Sequence, residues 1–163
     1  MKAKLLQRLS PITETPAFKA WFQGSKVVDD GGNPLKVYHA TNEDFDVFHP
    51  NSWFAIRPGE AKVGGTQEGT HILPVFLNVK SLYVLSPEEF DALRYASYSL
   101  EKTNNMGQKL LRKAKRLGHD GVLVPGYAYI VPNPNQIKSA IGNDGSFDPK
   151  SRSITSALLT RRD

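Results

Sequence analysis

Apolar and polar positions alternate with a period of two over much of the chain and switch to a helical period in three places. Leu35, Val37 and His39 share one face of a strand over 35–41, with Lys36 and Tyr38 on the other. Asp30, Gly31, Gly32 and Asn33 supply a turn between Val27/Val28 and that strand. Pro34 falls at the strand start, where its missing N–H costs little. The segment 52–56 reads as a short aromatic strand. Over 71–86, Val75, Leu77 and Val79 alternate with Phe76, Asn78 and Lys80, so a strand pair or one long bent strand is predicted. Short strands follow at 120–126, 127–131 and 136–141.

The helical stretches are as distinct. Phe18, Trp21 and Phe22 mark a short helix over 16–22. Ser86, Pro87 and Glu89 form the sequence signature of a capping box, which opens a helix over 86–100. Leu110, Leu111, Ala114 and Leu117 recur at helical spacing before Gly118 stops the run. Pro58 can open a brief helix over 58–62. These elements lack the regular strand–helix–strand rhythm of a doubly wound sheet. The fold class predicted is α+β: a split, mostly antiparallel sheet or barrel around a cleft, with a few flanking helices.

Length and composition add limits. The 163 residues suit one domain, 1–163, with 150–163 a turn-rich peripheral tail. No cysteine is present, which excludes disulfides, thiolate zinc sites and a cysteine nucleophile. No apolar run approaches the roughly 20 residues needed to cross a bilayer, and the N-terminus lacks the apolar core of a signal peptide. A cytoplasmic protein with no membrane partner is expected. The net charge is +5, and Lys109, Arg112, Lys113, Lys115 and Arg116 concentrate the basic charge on one helix. Such a face attracts nucleic acid or acidic protein; a solvated helix face is the plain alternative.

Common motifs are absent: no phosphate-binding GxxxxGK[ST] loop, GxGxxG fingerprint, HExxH or GxSxG occurs. No two of His39, His49, His71 and His119 stand at the i, i+4 spacing of a helical metal site, so no metal is expected. Carboxylates such as Glu60 and Glu68 can approach a cleft, without a spacing argument for it. Polar residues at strand ends stand out instead. His39 and Thr41 close one strand and Gln136 opens another. Taken alone, His39 is a packed core histidine or a residue that presents a ring nitrogen to a ligand.

Several segments together resemble one family. They are "KVVDDGGNPLKVYHAT", Phe45 and Phe48, "SWFAIRPGEA", "PVFLNVKSLYVL", "RLGHDGVLV" and "YIVPNPNQIKSAIGNDGSFDP". In order and spacing, from about residue 17 to 149, they are similar to the ADP-ribosyltransferase-like domains of phage and mobile-element polyvalent proteins. The resemblance implies a split sheet that binds NAD⁺ in a cleft and transfers ADP-ribose to a nucleic acid or protein. It implies that His39 anchors a ribose and that Ala40 backbone groups clamp the carboxamide. Tyr38, Thr41, Trp53, Phe54 and Arg57 complete the implied NAD site, with Trp53 and Phe54 as aromatic walls and Arg57 at the pyrophosphate. The family's third motif, a Glu or Gln before a late strand, falls on Gln136, so His39 and Gln136 are the implied catalytic pair.

Two departures matter. The family's tyrosine position falls on Val63, so one face of the nicotinamide sandwich is missing or comes from Tyr38, Tyr83 or Tyr127. Gln136 can hydrogen-bond a ribose hydroxyl but cannot act as a carboxylate. Cleavage of the glycosidic bond builds positive charge on the ribose, and losing a carboxylate there costs rate. That favours slow mono-transfer or NAD⁺ hydrolysis over polymer elongation. It leaves open a degenerate nucleotide- or nucleic-acid-binding module, or a nucleic-acid-processing enzyme whose aromatics stack bases.

Overall fold

The structure is a computed structural model and describes residues 11–62 and 71–155. Among these residues three helices, α1 (Pro16–Phe22), α2 (Pro87–Ala96) and α3 (Leu100–Arg116), accompany seven strands. The strands are β1 (Val37–Thr41), β2 (Ser52–Ala55), β3 (His71–Leu77), β4 (Leu82–Val84), β5 (Gly121–Val124), β6 (Ala128–Val131) and β7 (Ile137–Ser139). They form one sheet in the order β4-β5-β6-β2-β1-β3-β7. Every strand pair is antiparallel except β4 with β5. The α+β class is as expected, but the sheet is open: β4 and β7 are its two edges and no barrel closes.

Each helix starts where its local chemistry puts it. Thr15 caps α1 through a hydrogen bond from the Phe18 amide, with Pro16 in the first turn. Ser86 and Glu89 close the reciprocal capping box at α2. Ser99 caps α3 by accepting from the Lys102 amide. The turn predicted at 30–33 forms, organised by Asp29, which accepts from the Gly31 and Asn33 amides. The flanking residues make only an isolated bridge, Val28 to Pro34, because Pro34 cannot extend a ladder.

The sheet is covered on both sides, so the inner strands bury both of their faces. On β3, Val75 and Leu77 join one core cluster with Val37, Phe54 and Ile137. Phe76, between them, points the other way to Phe18, Trp21 and Phe22 of α1 and to Phe147. On β6, Ile130 packs under α2 and α3 with Leu93, Leu110, Leu111 and Val122, while Tyr129 and Val131 face the first cluster.

The C-terminal segment differs from expectation. Residues 151–155 are packed in, with Ser153 and Ile154 buried. The reason is Lys138 on β7, only 1% exposed, which donates to the carbonyls of Ser151 and Ser153. Burial lowers the pKa of Lys138, and the charges of Asp148, Asp46 and Asp144 partly offset that. The remainder of the expected tail, 156–163, lies outside the described residues.

Helix α3 meets β2 at one close contact. A Cβ placed on Gly107 comes within 2.7 Å of Cζ2 of Trp53, so only glycine lets the helix lie against the indole. Gly107→Ala gains about 1 kcal/mol in helix propensity but overpacks this contact, at a cost of about 1–3 kcal/mol. The expected result in urea unfolding is net destabilisation. In a Trp53→Leu background the same substitution is expected to be neutral or stabilising.

Candidate active site

The β1–β2 ladder is one residue pair long, Tyr38 with Ala55. Past that pair β1 continues beside β3 and β2 continues beside β6. The two strands splay, and a cleft of about 1160 Å³ opens between the sheet and the α2–α3 pair. Its volume lies just above the roughly 300–1,000 Å³ of ordinary small-molecule pockets. Tyr38, His39, Ala40, Trp53, Phe54 and Tyr127 line the sheet side, and Phe90, Arg94, Tyr98, Asn104 and Gln108 the helical side.

His39 spans the splayed strands. Its Nδ1 lies 2.8 Å from the Trp53 carbonyl oxygen. A carbonyl only accepts, so Nδ1 carries the proton and Nε2 of the neutral ring is an acceptor. The ring packs edge-on to Phe45 and Phe48 and tilted to Phe54. Burial among these rings lowers the His39 pKa, outweighing the Trp53 carbonyl, which raises it. At neutral pH the imidazole is therefore uncharged, with its tautomer set by the sheet.

The other implied residues divide. Tyr38 and Ala40 line the cleft, and the β1 edge they occupy has no strand partner toward β2 beyond Tyr38. Backbone amides and carbonyls on such an edge are fit to hold a carboxamide. Trp53 lies in the wall and packs on α3. Phe54 lines the same region but is fully buried and supports His39 from within the core. The alternation of β2 explains this, since successive side chains leave opposite faces.

Thr41 is not among the cleft-lining residues; its hydroxyl accepts from the Glu43 amide and closes the turn after β1. Arg57 also lies outside the lining, with Nη1 engaged by Glu60 Oε1 at 2.8 Å and the Gly126 carbonyl at 3.1 Å. Gln136 is likewise elsewhere. Its amide nitrogen donates to the carbonyls of Asn78 and Asp120, and its oxygen accepts from the Asn133 amide. Late in the chain two strands begin, and only the start of β6 adjoins the cleft, through Tyr127 and Ala128. Gln136 precedes β7, which pairs with β3 on the far side of β1. The pattern around 127–131 carried no carboxylate or amide to draw attention to it.

Among the tyrosines weighed for the missing aromatic face, Tyr38 and Tyr127 line the cleft, and the Tyr127 ring packs against Phe90 with centroids 5.6 Å apart. Tyr83 instead donates to Glu89. Val63 and Glu68 lie outside the described residues. Sequence reasoning missed Arg94, Tyr98, Asn104 and Gln108. The amide pair Asn104 and Gln108 stands at i, i+4 on α3, a spacing that puts both on one face.

The basic helix is less uniform than its composition. Lys109, Arg112, Lys113, Lys115 and Arg116 line a groove that Glu88 and Glu89 of α2 also line. Lys113 bonds Glu89 at 3.0 Å and sits over the Tyr83 ring. Burial raises the Glu89 pKa, but bonds from the Ser86 amide, Tyr83, Lys113 and the Ser86 hydroxyl outweigh it and hold the group at about 2. Elsewhere Ser81, His119 and Asp120 come together without forming a nucleophilic triad. Ser81 bonds His119 Nδ1, whereas Asp120 accepts from the backbone amides of Lys80 and Ser81. Among the described residues no group of three metal-ligating side chains stands together, and no helix is long and apolar enough to cross a membrane.

The class defined by these features is an α+β domain whose mostly antiparallel sheet splays into a cleft floored by a neutral histidine. The family described as ADP-ribosyltransferase in polyvalent proteins matches residues 29–147, and the chain belongs to it. Comparison with curated proteins gives no match, and neither does comparison with solved structures.

Three outcomes follow from the geometry. A histidine with a lowered pKa stays neutral in the folded chain while the unfolded chain takes up its proton. Its contribution to stability is therefore full above pH 6.5 and is lost as pH falls below that value. Denaturation between pH 7.5 and 5.5 is expected to show this loss, at a slope of at most about 1.4 kcal/mol per pH unit, and His39→Gln to flatten it. Glu89 acts in a separate window, its contribution being present above pH 4.5 and lost toward pH 2. Gln136→Ala, which removes the donor to the half-buried carbonyls of Asn78 and Asp120, is expected to lower stability by about 1 kcal/mol. Any activity measured well below the midpoint should change less than threefold.

Proposed function

We propose that the chain is a mono-ADP-ribosyltransferase that takes NAD⁺ as donor, with hydrolysis of NAD⁺ as its default when no acceptor is bound. The observation that carries the reading is the neutral His39 on the floor of the cleft, with Nε2 as an acceptor matched to a ribose hydroxyl. The unpartnered edge of β1 at Ala40 suits the carboxamide of nicotinamide. Tyr38, Trp53 and Tyr127 offer aromatic surface for the ring that leaves. Bound NAD⁺ supplies the activated ribose and the leaving group. The protein orients the donor and excludes water around it.

An anionic acceptor, nucleic acid in particular, is the proposed partner. The α3 row Asn104, Gln108, Arg112 runs at i, i+4 spacing from the cleft into the basic groove. An origin in a phage or mobile element, with action in the host cytoplasm, is part of the proposal and rests on family membership.

NAD⁺ labelled in its adenylate, incubated with the chain and with DNA, RNA or protein, tests the reading. Nicotinamide release is expected, with label carried to an acceptor in at least one case. His39→Ala should lower kcat/KM by roughly 100-fold, about 2.7 kcal/mol of barrier. No release under any condition would overturn the transferase reading. Charge reversal at Lys109, Arg112 and Arg116 should weaken nucleic-acid binding and flatten its salt dependence. Unchanged binding would remove the groove from acceptor recognition.

A further inference from the structure

Tyr95 and Tyr98, 79% and 78% exposed, stand at the corner between α2 and α3, and Leu100, 63% exposed, follows them. They are three of the eight large hydrophobic residues exposed among the described residues, gathered within six positions. Apolar groups scattered singly over a surface are ordinary, whereas a cluster marks a place of contact. The corner is also held in shape. The Ser97 hydroxyl donates to the Arg94 carbonyl at 2.6 Å, and Thr103 Oγ1 lies 3.0 Å from the Ala96 carbonyl and 2.8 Å from that of Ser99. Lys102 Nζ donates to the Tyr98 hydroxyl at 3.1 Å and lies 5.3 Å from the ring centroid. A ring held in this way loses little freedom when a partner covers it.

The charge around the corner separates the candidate partners. Residues 94–116 hold seven of the chain's 21 Lys and Arg but one of its 16 Asp and Glu, namely Glu101, so the rest of the chain carries one more acid than base. The net positive charge of the protein therefore resides in this corner and the helix that leaves it. Arg94 and Lys102 flank the two tyrosines, and neither forms an ion pair among the described residues. Protein–protein interfaces are depleted in lysine. Rings interleaved with cations match a nucleic-acid single strand, whose phosphates pair with the cations while its bases stack on the rings. A duplex keeps its bases stacked on one another and offers the rings nothing. Tyr98 and Leu100 also line the cleft, and Tyr95 lies outside that lining. A base stacked on Tyr98 thus stands at the cleft, and one stacked on Tyr95 stands beyond it.

We propose that the corner formed by residues 94–102 is a stacking platform for unpaired nucleic acid; its service as the seat of the acceptor rests on the transferase reading above. The acceptor narrows from a polyanion in general to a single strand, and the surface that holds it extends from the basic groove of α3 onto α2.

Fluorescence anisotropy with labelled oligo-dT, oligo-U and a mixed-sequence duplex tests the platform, the first two arms separating DNA from RNA. A single strand is expected to bind at least tenfold more tightly than the duplex. Tyr95→Ala combined with Tyr98→Ala should weaken single-strand binding at least tenfold and leave duplex binding within twofold. Tyr95→Phe with Tyr98→Phe, which keeps both rings, should stay within threefold of wild type. Arg94→Gln with Lys102→Gln should reduce the slope of log affinity against log salt by about 1.4, the value for two phosphate contacts on a single strand. Equal affinity for duplex and single strand, or a double alanine variant within twofold of wild type, would overturn the platform. A preference for polyglutamate over oligo-dT would overturn it too, in favour of an acidic protein. Nicotinamide release from NAD⁺ in the same samples keeps the two readings apart. Strand binding that needs the rings, without release, upholds the platform and overturns the transferase. Release with strand binding indifferent to the rings does the reverse.

Discussion

The architecture of the cleft depends on a single hydrogen bond that does the work of a missing ladder. The β1–β2 pairing stops after Tyr38 and Ala55, and open backbone edges in a sheet ordinarily recruit a partner. Here the His39 ring reaches across and donates to the Trp53 carbonyl. The two halves of the sheet stay joined while their edges stand apart. The same bond sets the tautomer of the ring, and the surrounding phenylalanines keep it neutral. One side chain therefore fixes both the shape of the opening and the chemistry at its floor.

The helical wall depends on the same pair of strands. Trp53 extends from β2 toward α3, and Gly107 accommodates it. The indole thus links the helices to the strand whose carbonyl holds His39. A displacement of α3 would be felt at the imidazole through two contacts, with no need for a longer pathway.

Much of the fold was legible in the chain. The cap at Ser86, the turn at 30–33 and the alternation on β3 each carry a local physical signal that forms in the structure, whereas the helix expected over 86–100 stops at Ala96 because Ser99 caps a new one. The order of strands was not legible, because pairing is decided by burial on two faces and by long-range contacts. That order governs the site. Gln136 and Tyr127 both stand at the start of late strands, and only placement of β6 beside β2 and β7 beside β3 tells them apart. His39 announced itself as a polar residue ending an apolar strand. Glu60 was legible only as a carboxylate able to approach a cleft, without a spacing argument, and the structure places it in the lining. The basic helix shows the reverse: Lys113 looked like its neighbours in composition, and the structure pairs it with Glu89.

The buried Lys138 has a consequence at the margin of the sheet. By holding the carbonyls of Ser151 and Ser153, it lays the segment 151–155 along β7, where the Ser139 amide donates to the Ile154 carbonyl. Ile154 in turn donates to the Asp46 carbonyl, and Thr155 bonds the Asp46 carboxylate. A terminal strand with bare amides would be a template for another chain. The lysine holds residues 151–155 at that position, so the Ser139 amide at this margin of the sheet is paired within the chain.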